Sequence, residues 1–241
     1  MIVILMAIIL IKEYLNKMGK VIISSDTTKN PITMLGRYAG ECWGAPTGDN
    51  EKNFKRGLEC LESGHFRTGE FPDVYMILDG YSARVIREWY THIGGAPTRL
   101  QASTRYIDYK DFNYIIPPTI LQNSVAADIY KKTMLYITTA ATALESLGVP
   151  REDTAMLFPL GMSTKVACKH NFRNLMDMSH QRLCSRAYWE YRQLFKDLMQ
   201  ALSEYSDEWK ILVEKFFKPK CEVCGFCTEK KSCGRKSKME E

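Results

Sequence analysis

A stripe of polar side chains lies on one face of a helix predicted over 171–202. At about 100° per residue, Asn171, Asn174, Arg182, Ser185 and Trp189 share that face. Apolar side chains lie in the same stripe, so it is not a simple solvated face. An arginine held among amides and apolar groups suits a phosphate or a base carbonyl, because its fork of donors matches planar acceptors. A structural arginine paired with a core carboxylate is the alternative.

A second polar row lies between Arg99 and Tyr106. Alternation along an extended strand would place Gln101, Ser103 and Arg105 on the same side. Such a row can recognise a nucleotide, with the arginine on phosphate, the serine on a phosphate or base oxygen and the glutamine on an amide edge. The alternative interpretation is a solvent-facing strand surface.

The eight cysteines fall into two groups. Cys221, Cys224, Cys227 and Cys233 lie within thirteen residues, and their spacing predicts four thiolates around zinc or an iron–sulfur cluster. A flexible thiol-rich tail is the alternative. The other four cysteines are scattered through apolar or amphipathic segments, as free thiols are in a reducing compartment, which predicts a cytoplasmic protein.

Composition excludes several classes of protein. The chain has 241 residues, 45% hydrophobic and 25% charged, which excludes disorder, collagen and coiled coil. The formal net charge is +5, and residues 215–241 carry eight basic and four acidic side chains. Such a basic end is more typical of a solvated terminus than of a nucleic-acid-binding segment. The apolar run over 1–11 is too short to cross a bilayer, so we expect no membrane partner.

These observations divide the chain into three parts. We predict an apolar N-terminal extension over 1–17, a single main domain over 18–214 and a basic, cysteine-rich tail over 215–241. Hydrophobic periodicity predicts helices over 32–42, 53–63, 82–90, 123–147 and 171–202, with strands at 18–24, 74–78 and 163–167. Their irregular alternation indicates an α+β fold, and no Gly-x-Gly-x-x-Gly motif supports a dinucleotide-binding fold.

An ordered set of motifs then becomes recognisable between about 22 and 202. The set comprises Gly64-His65, Arg87-Glu88-Trp89-Tyr90-Thr91-His92, Ser103-Thr104-Arg105-Tyr106, Leu157-Phe158-Pro159-Leu160, Asn171-Phe172-Arg173-Asn174-Leu175, Arg182 and Ala187-Tyr188-Trp189-Glu190. In this order it resembles the flavin-dependent thymidylate synthases.

The resemblance implies a mixed sheet with long helices, in a homotetramer whose active sites lie at subunit interfaces. It implies that FAD is bound and that dUMP is methylated to dTMP. The methylene group would come from methylenetetrahydrofolate and the electrons from NADPH. Because the family uses no cysteine nucleophile, the scattered cysteines need no catalytic role.

Site residues follow by position from the same resemblance. Those implied to bind substrate are Glu88, Gln101, Ser103, Thr104, Arg105 and Arg182, and those implied to contact the flavin are His92, Asn171 and Asp177. Arg182 is also the implied catalytic residue, because it would stabilise the negative charge that develops on the uracil ring.

The chain departs from the family signature around His92. It has Thr91-His92-Ile93 where the family has Arg-His-Arg, so both flanking cations are missing. Arg84, Arg87, Arg99 and Lys165 are near in sequence and could replace them, and the Gly94 and Gly95 amides could form an anion nest. The alternatives are a one-carbon transfer to another pyrimidine nucleotide and a non-catalytic protein that binds a nucleotide or nucleic acid.

Overall fold

A computed structural model describes residues 19–109 and 111–238. The chain divides into two compact units, each built from several segments. The first unit contains Leu78–Trp89 and Leu100–Val166, and the second contains Val21–Ile77, Tyr90–Arg99 and the chain from Ala167 onward. The N-terminal extension predicted over 1–17 lies outside the described residues. The cysteine-rich tail belongs to the second unit.

Four strands form one sheet in the order β1-β2-β4-β3. Their bounds are Lys20–Ile23 for β1, Asp73–Ser82 for β2, Thr98–Gln101 for β3 and Ser163–Asn171 for β4. The sheet is antiparallel rather than mixed. The register of β2 against β4 follows from two flanking bonds, Ala83 N to Met162 O (2.8 Å) and Phe172 N to Pro72 O (2.9 Å).

Helices make up most of the second unit. They are α1 (Pro31–Trp43), α2 (Asn50–Glu62), α7 (Phe172–Arg182), α8 (Trp189–Tyr205), α9 (Asp207–Phe216) and α10 (Lys220–Cys224), with a 3₁₀ turn at Phe66–Glu70. Glycines let α1 and α2 approach closely. A Cβ on Gly36 would lie 1.7 Å from the Asn53 carbonyl oxygen, and one on Gly57 would lie 2.1 Å from that of Ile32.

The core of the second unit is aromatic. Phe172, the first residue of α7, stacks on Phe217 with ring centroids 6.1 Å apart and is tilted against Trp209 at 6.2 Å. The buried indole of Trp209 donates from Nε1 to the Thr28 carbonyl oxygen at 2.8 Å. This packing holds the start of α7 in place, and α7 carries several predicted site residues.

The first unit contains α3 (Ala83–Trp89), α4 (Pro118–Leu121), α5 (Ser124–Ser146) and α6 (Arg151–Thr154), with a 3₁₀ turn at Ala155–Leu157. Its small core centres on Phe112, Met134 and Met162. The Asn123 side chain caps α5 by accepting from the amides of Val125 and Ala126.

Most of the predicted elements are confirmed within a few residues, but two are wrong. The helix predicted over 171–202 is two helices, α7 and α8, separated by Leu183–Tyr188. Two arginines outside this segment bind backbone carbonyls that the end of the helix leaves free. Arg235 Nη1 donates to the Leu183 carbonyl oxygen at 3.3 Å, and Arg192 Nη1 donates to that of Ser185 at 2.6 Å. Ser185 therefore lies in a loop and not on the helical stripe.

The second error concerns the polar row after Arg99. Strand β3 ends at Gln101, and a turn follows in which the amides of Tyr106 and Ile107 both donate to the Ser103 carbonyl oxygen. Gln101, Ser103 and Arg105 therefore do not share one side of a strand. Among the described residues, no helix is both long enough and apolar enough to span a membrane.

Candidate functional site

Arg182 lies in the last turn of α7, and its guanidinium contacts three side chains from other segments. Its Nε donates to Nε2 of His92 at 2.9 Å, and its Nη2 lies 3.5 Å from the hydroxyl of Thr91. The guanidinium also lies over the ring of Tyr191, 4.4 Å from the centroid. An arginine fixed at its edge and over an aromatic face keeps its fork in one orientation, as recognition of a planar acceptor requires.

His92 contributes to this arrangement as a neutral imidazole. Burial lowers the pKa of His92 to about 4, and the positive charges of Arg182 and Arg99 act in the same direction. Because Nε2 accepts the bond from Arg182, the single ring proton of the neutral form is assigned to Nδ1. The imidazole of His92 therefore orients the guanidinium of Arg182.

Arg99 brings a second cation to His92. Its Nη1 donates to the His92 carbonyl oxygen at 3.3 Å, and its guanidinium lies 4.7 Å from the centroid of the Tyr90 ring. Arg99 is one of the four cations that could replace those missing beside His92. It belongs to the second unit, as His92 does, and it contacts the His92 backbone. In the first unit Lys165 forms an ion pair with Asp79 at 3.2 Å.

The end of β4 and the start of α7 carry a buried polar cluster. The fully buried ring of His170 donates from Nδ1 to the Asn174 side-chain oxygen. Burial lowers the pKa of His170 to about 4, and the hydrogen bond to Asn174 opposes this shift. Asn171 caps α7, because its side-chain Oδ1 accepts from the backbone amide of Asn174 at 2.8 Å. Its side-chain Nδ2 donates to the Gly95 carbonyl oxygen at 3.5 Å.

Two predicted flavin residues thus differ in their surroundings. Asn171 links the start of α7 to the Gly95 loop, so it joins the same part of the second unit as His92. Asp177 is exposed and lies 4.0 Å from Nε of Arg173, which also pairs with Glu70 at 3.5 Å. Helical geometry places Asp177 well over 90° around α7 from Asn171 and Arg182.

Three of the predicted substrate residues, Ser103, Thr104 and Arg105, lie in the segment that follows β3. Arg105 Nε forms an ion pair with Glu152 at 2.8 Å, and its backbone amide donates to the Ser103 hydroxyl at 3.2 Å. Gln101 donates to the Thr164 hydroxyl at 3.4 Å. Thr104 lies in the same turn, half-buried. Glu88 is half-buried on α3.

Sequence reasoning missed Tyr191 as a functional residue. Treating 171–202 as one helix gave the wrong rotation for every residue after Leu183, so the position of Tyr191 beneath Arg182 could not be seen. The segment Leu183–Tyr188 contains neither glycine nor proline, and it therefore offers no ordinary signal of a helix end.

The four tail cysteines do not form a ready-made metal centre. Within the described ranges 19–109 and 111–238, no three His, Cys, Asp or Glu side chains are grouped as metal ligands. Cys221, Cys227 and Cys233 nevertheless line one cavity of about 390 Å³, and Cys224 does not.

Comparisons with known proteins agree on one family. Residues 22–206 match a family model described as "Thymidylate synthase complementing protein". The chain is 28% identical to the flavin-dependent thymidylate synthase of Nitratidesulfovibrio vulgaris, over 86% of this chain and 91% of that one. It is 27% identical to the Clostridium tetani enzyme of the same name, over 89% and 93% respectively. A crystal structure of ThyX from Helicobacter pylori, complexed with FAD and dUMP, shares the fold with a TM-score of 0.63 and 17% identity, over 80% of this chain and 99% of that one.

Proposed function

The chain belongs to the thymidylate synthase complementing proteins, the family of the flavin-dependent thymidylate synthases, and on that premise we propose that it methylates dUMP to dTMP. In this proposal the methylene group comes from methylenetetrahydrofolate and the electrons from NADPH by way of FAD. The matched segment contains all of the predicted substrate and flavin residues, which supports the assignment.

The observation that carries the proposal is the fixed orientation of Arg182. Uracil presents carbonyl oxygens in the plane of its ring, and a guanidinium can donate a charge-assisted hydrogen bond to one of them. Negative charge develops on the ring as its C5 carbon becomes nucleophilic toward the one-carbon unit, and a cation already in place stabilises that charge without reorganising. A neutral His92 and the Tyr191 ring hold Arg182 without cancelling its charge.

The residues around His92 fit a flavin dinucleotide, although the signature has lost two cations. Arg99 lies against the His92 backbone and would offer one positive charge to the diphosphate of FAD. Bound FAD would supply the hydride chemistry. Thr91, His92 and Asn171 would position the cofactor, and Arg182 would hold the nucleotide.

A homotetramer is part of the proposal, and the surface of α5 supports it. This helix leaves Val125, Ile129, Leu135 and Tyr136 between 60% and 75% exposed, all of them large and apolar. Apolar surface of this extent on a helix is typical of an interface. A second copy of the chain is the partner that the family resemblance implies.

The test is the visible spectrum of the purified protein, reconstituted with FAD and titrated with dUMP. We expect flavin absorption bands that shift on adding dUMP. Arg182→Ala should keep the flavin bands and lose the dUMP-dependent shift, whereas Arg67→Ala, which removes an exposed arginine of the same unit, should behave like the wild type. A colourless protein that ignores both ligands would refute the proposal and favour the non-catalytic alternative.

A further inference from the structure

The tail folds back onto the loop that follows α7 and encloses a cavity of about 390 Å³. Four cysteines line it, namely Cys184 from the loop and Cys221, Cys227 and Cys233 from the tail. Cys184, Cys221 and Cys227 are half-buried, and Cys233 is exposed at the rim. Thiols that are distant in sequence therefore face one space, which the spacing of the tail cysteines alone does not reveal.

Hydrogen bonds fix the tail against this loop. Arg235 Nη1 donates to the Leu183 carbonyl oxygen at 3.3 Å, and Arg186 Nη2 donates to that of Lys231 at 3.0 Å. Within the tail, the Cys227 amide donates to the Ser237 carbonyl oxygen at 2.7 Å. These contacts come from both sides of the cavity, so Cys184 and the tail cysteines are held in the same neighbourhood.

The charge around the cavity favours thiolates. Its lining includes the cations Arg186, Lys220, Lys231, Arg235 and Lys236 against one carboxylate, Glu229. Four thiolates around a divalent metal ion leave a net charge of about −2, which surrounding cations stabilise.

Cys224 is the tail cysteine that does not fit this arrangement. It is exposed, it does not line the cavity, and its thiol donates to the carbonyl oxygen of Phe226 at 3.2 Å. Cys184 occupies the fourth position around the cavity instead.

We propose that Cys184, Cys221, Cys227 and Cys233 bind one zinc ion, which joins the tail to the loop after α7. The ligand set differs from the four consecutive tail cysteines that the spacing predicts. Among the described residues these thiols are not grouped as metal ligands, so they must move closer together to reach zinc–sulfur distances of about 2.3 Å. Three of them lie on the tail, where the chain is a five-residue helix and irregular turns. Metal binding can supply the free energy for such a local closure.

The first experiment measures zinc per chain. The full chain is reduced, incubated with zinc sulfate, separated from free metal by gel filtration and analysed by mass spectrometry of the elements. We expect about one zinc per chain in the wild type, in Cys224→Ser and in Cys42→Ser, an exposed cysteine on α1. Cys184→Ser and Cys227→Ser should lose most of it. Zinc retained by Cys184→Ser but lost by Cys224→Ser would overturn the ligand set, and a zinc-free wild type would overturn the site.

A second measurement needs no variant and so does not depend on whether a variant folds. The zinc-loaded wild type and the chelator-treated wild type are alkylated briefly with iodoacetamide, and the modified cysteines are identified by peptide mass spectrometry. Zinc should protect Cys184, Cys221, Cys227 and Cys233 and leave Cys224 and Cys42 reactive. Equal alkylation with and without zinc would contradict the proposal, as would finding iron and sulfide in place of zinc.

Discussion

Tyr191 gives Arg182 a flat apolar support, since its fully buried ring lies 4.4 Å from the guanidinium. A cation over an aromatic face contributes about 0.5 to 2 kcal/mol. Tyr191→Leu should therefore weaken dUMP binding by about 2- to 30-fold, because the guanidinium loses its fixed orientation. Tyr191→Phe keeps the ring and should lose much less. Isothermal titration with dUMP measures both, and equal affinities for Leu and Phe would argue against this role.

The buried histidines make stability depend on pH. His170 and His92 each have a pKa lowered to about 4, mainly by burial, whereas the unfolded chain binds these protons near pH 6.5. The unfolded state therefore holds more protons between these values, and the free energy of unfolding falls as the pH drops from about 6.5 toward about 4. For His170 the loss is at most about 3 kcal/mol, and for the less buried His92 it is smaller.

Urea unfolding at several pH values between 4 and 7 measures this dependence. His170→Gln keeps a donor for Asn174 and should flatten the curve relative to the wild type, although it is less stable at neutral pH. An unchanged slope in the variant would mean that His170 does not carry the effect.

At the scale of elements, the contact between α1 and α2 depends on glycine. Alanine at Gly57 would gain about 1 kcal/mol of helix propensity. Its Cβ, however, would lie 2.1 Å from the Ile32 carbonyl oxygen, and backbone cannot yield as a flexible side chain can. We expect Gly57→Ala to destabilise the protein by about 1 to 3 kcal/mol. Gly48→Ala, where no atom lies within 4 Å, is the control. Thermal unfolding of the two variants compares them, and a stabilised Gly57→Ala would contradict the packing.

The elements also show where sequence patterns succeed. Apolar periodicity predicted α1, α2 and α5, and Gly64 and Gly148 marked the ends of α2 and α5, because these signals are local. The break after Arg182 depends on arginines 7 and 52 residues from the carbonyls that they bind, so no local pattern contains it. The turn after Gln101 was not predicted for a related reason, since alternation over a few residues does not distinguish a strand from a polar turn.

At the scale of the whole molecule, the proposed homotetramer would use the apolar surface of α5 as an interface. Leu135 is 67% exposed on this helix, and Leu135→Glu would place a charge on its apolar surface. We expect the variant to sediment or scatter light as a smaller species than the wild type and to lose activity if the sites need a second chain. Lys131→Glu makes a larger change of charge at an exposed position on the same helix and should leave the assembly intact. Equal masses for all three proteins would exclude α5 from the interface.

Some residues of the predicted site can be recognised from the order of motifs along the chain, and others only from side-chain contacts in the structure. Arg182, His92 and Asn171 were found from an ordered set of motifs, and the structure places all three in the second unit. The supporting roles of Arg99 and Tyr191 depend on side-chain contacts across many residues, which no motif encodes. Cys184 lines the tail cavity through the same kind of long-range contact, so no motif predicts it.

Product formation is the direct test of thymidylate synthesis by this protein. The purified protein is incubated with dUMP, methylenetetrahydrofolate, NADPH and FAD, and dTMP is measured by liquid chromatography and mass spectrometry. We expect dTMP that requires all four compounds and that falls by at least about 100-fold in Arg182→Ala, the loss expected when one charge-stabilising donor is removed. No dTMP from the folded, FAD-bound wild type, or undiminished dTMP from Arg182→Ala, would contradict it.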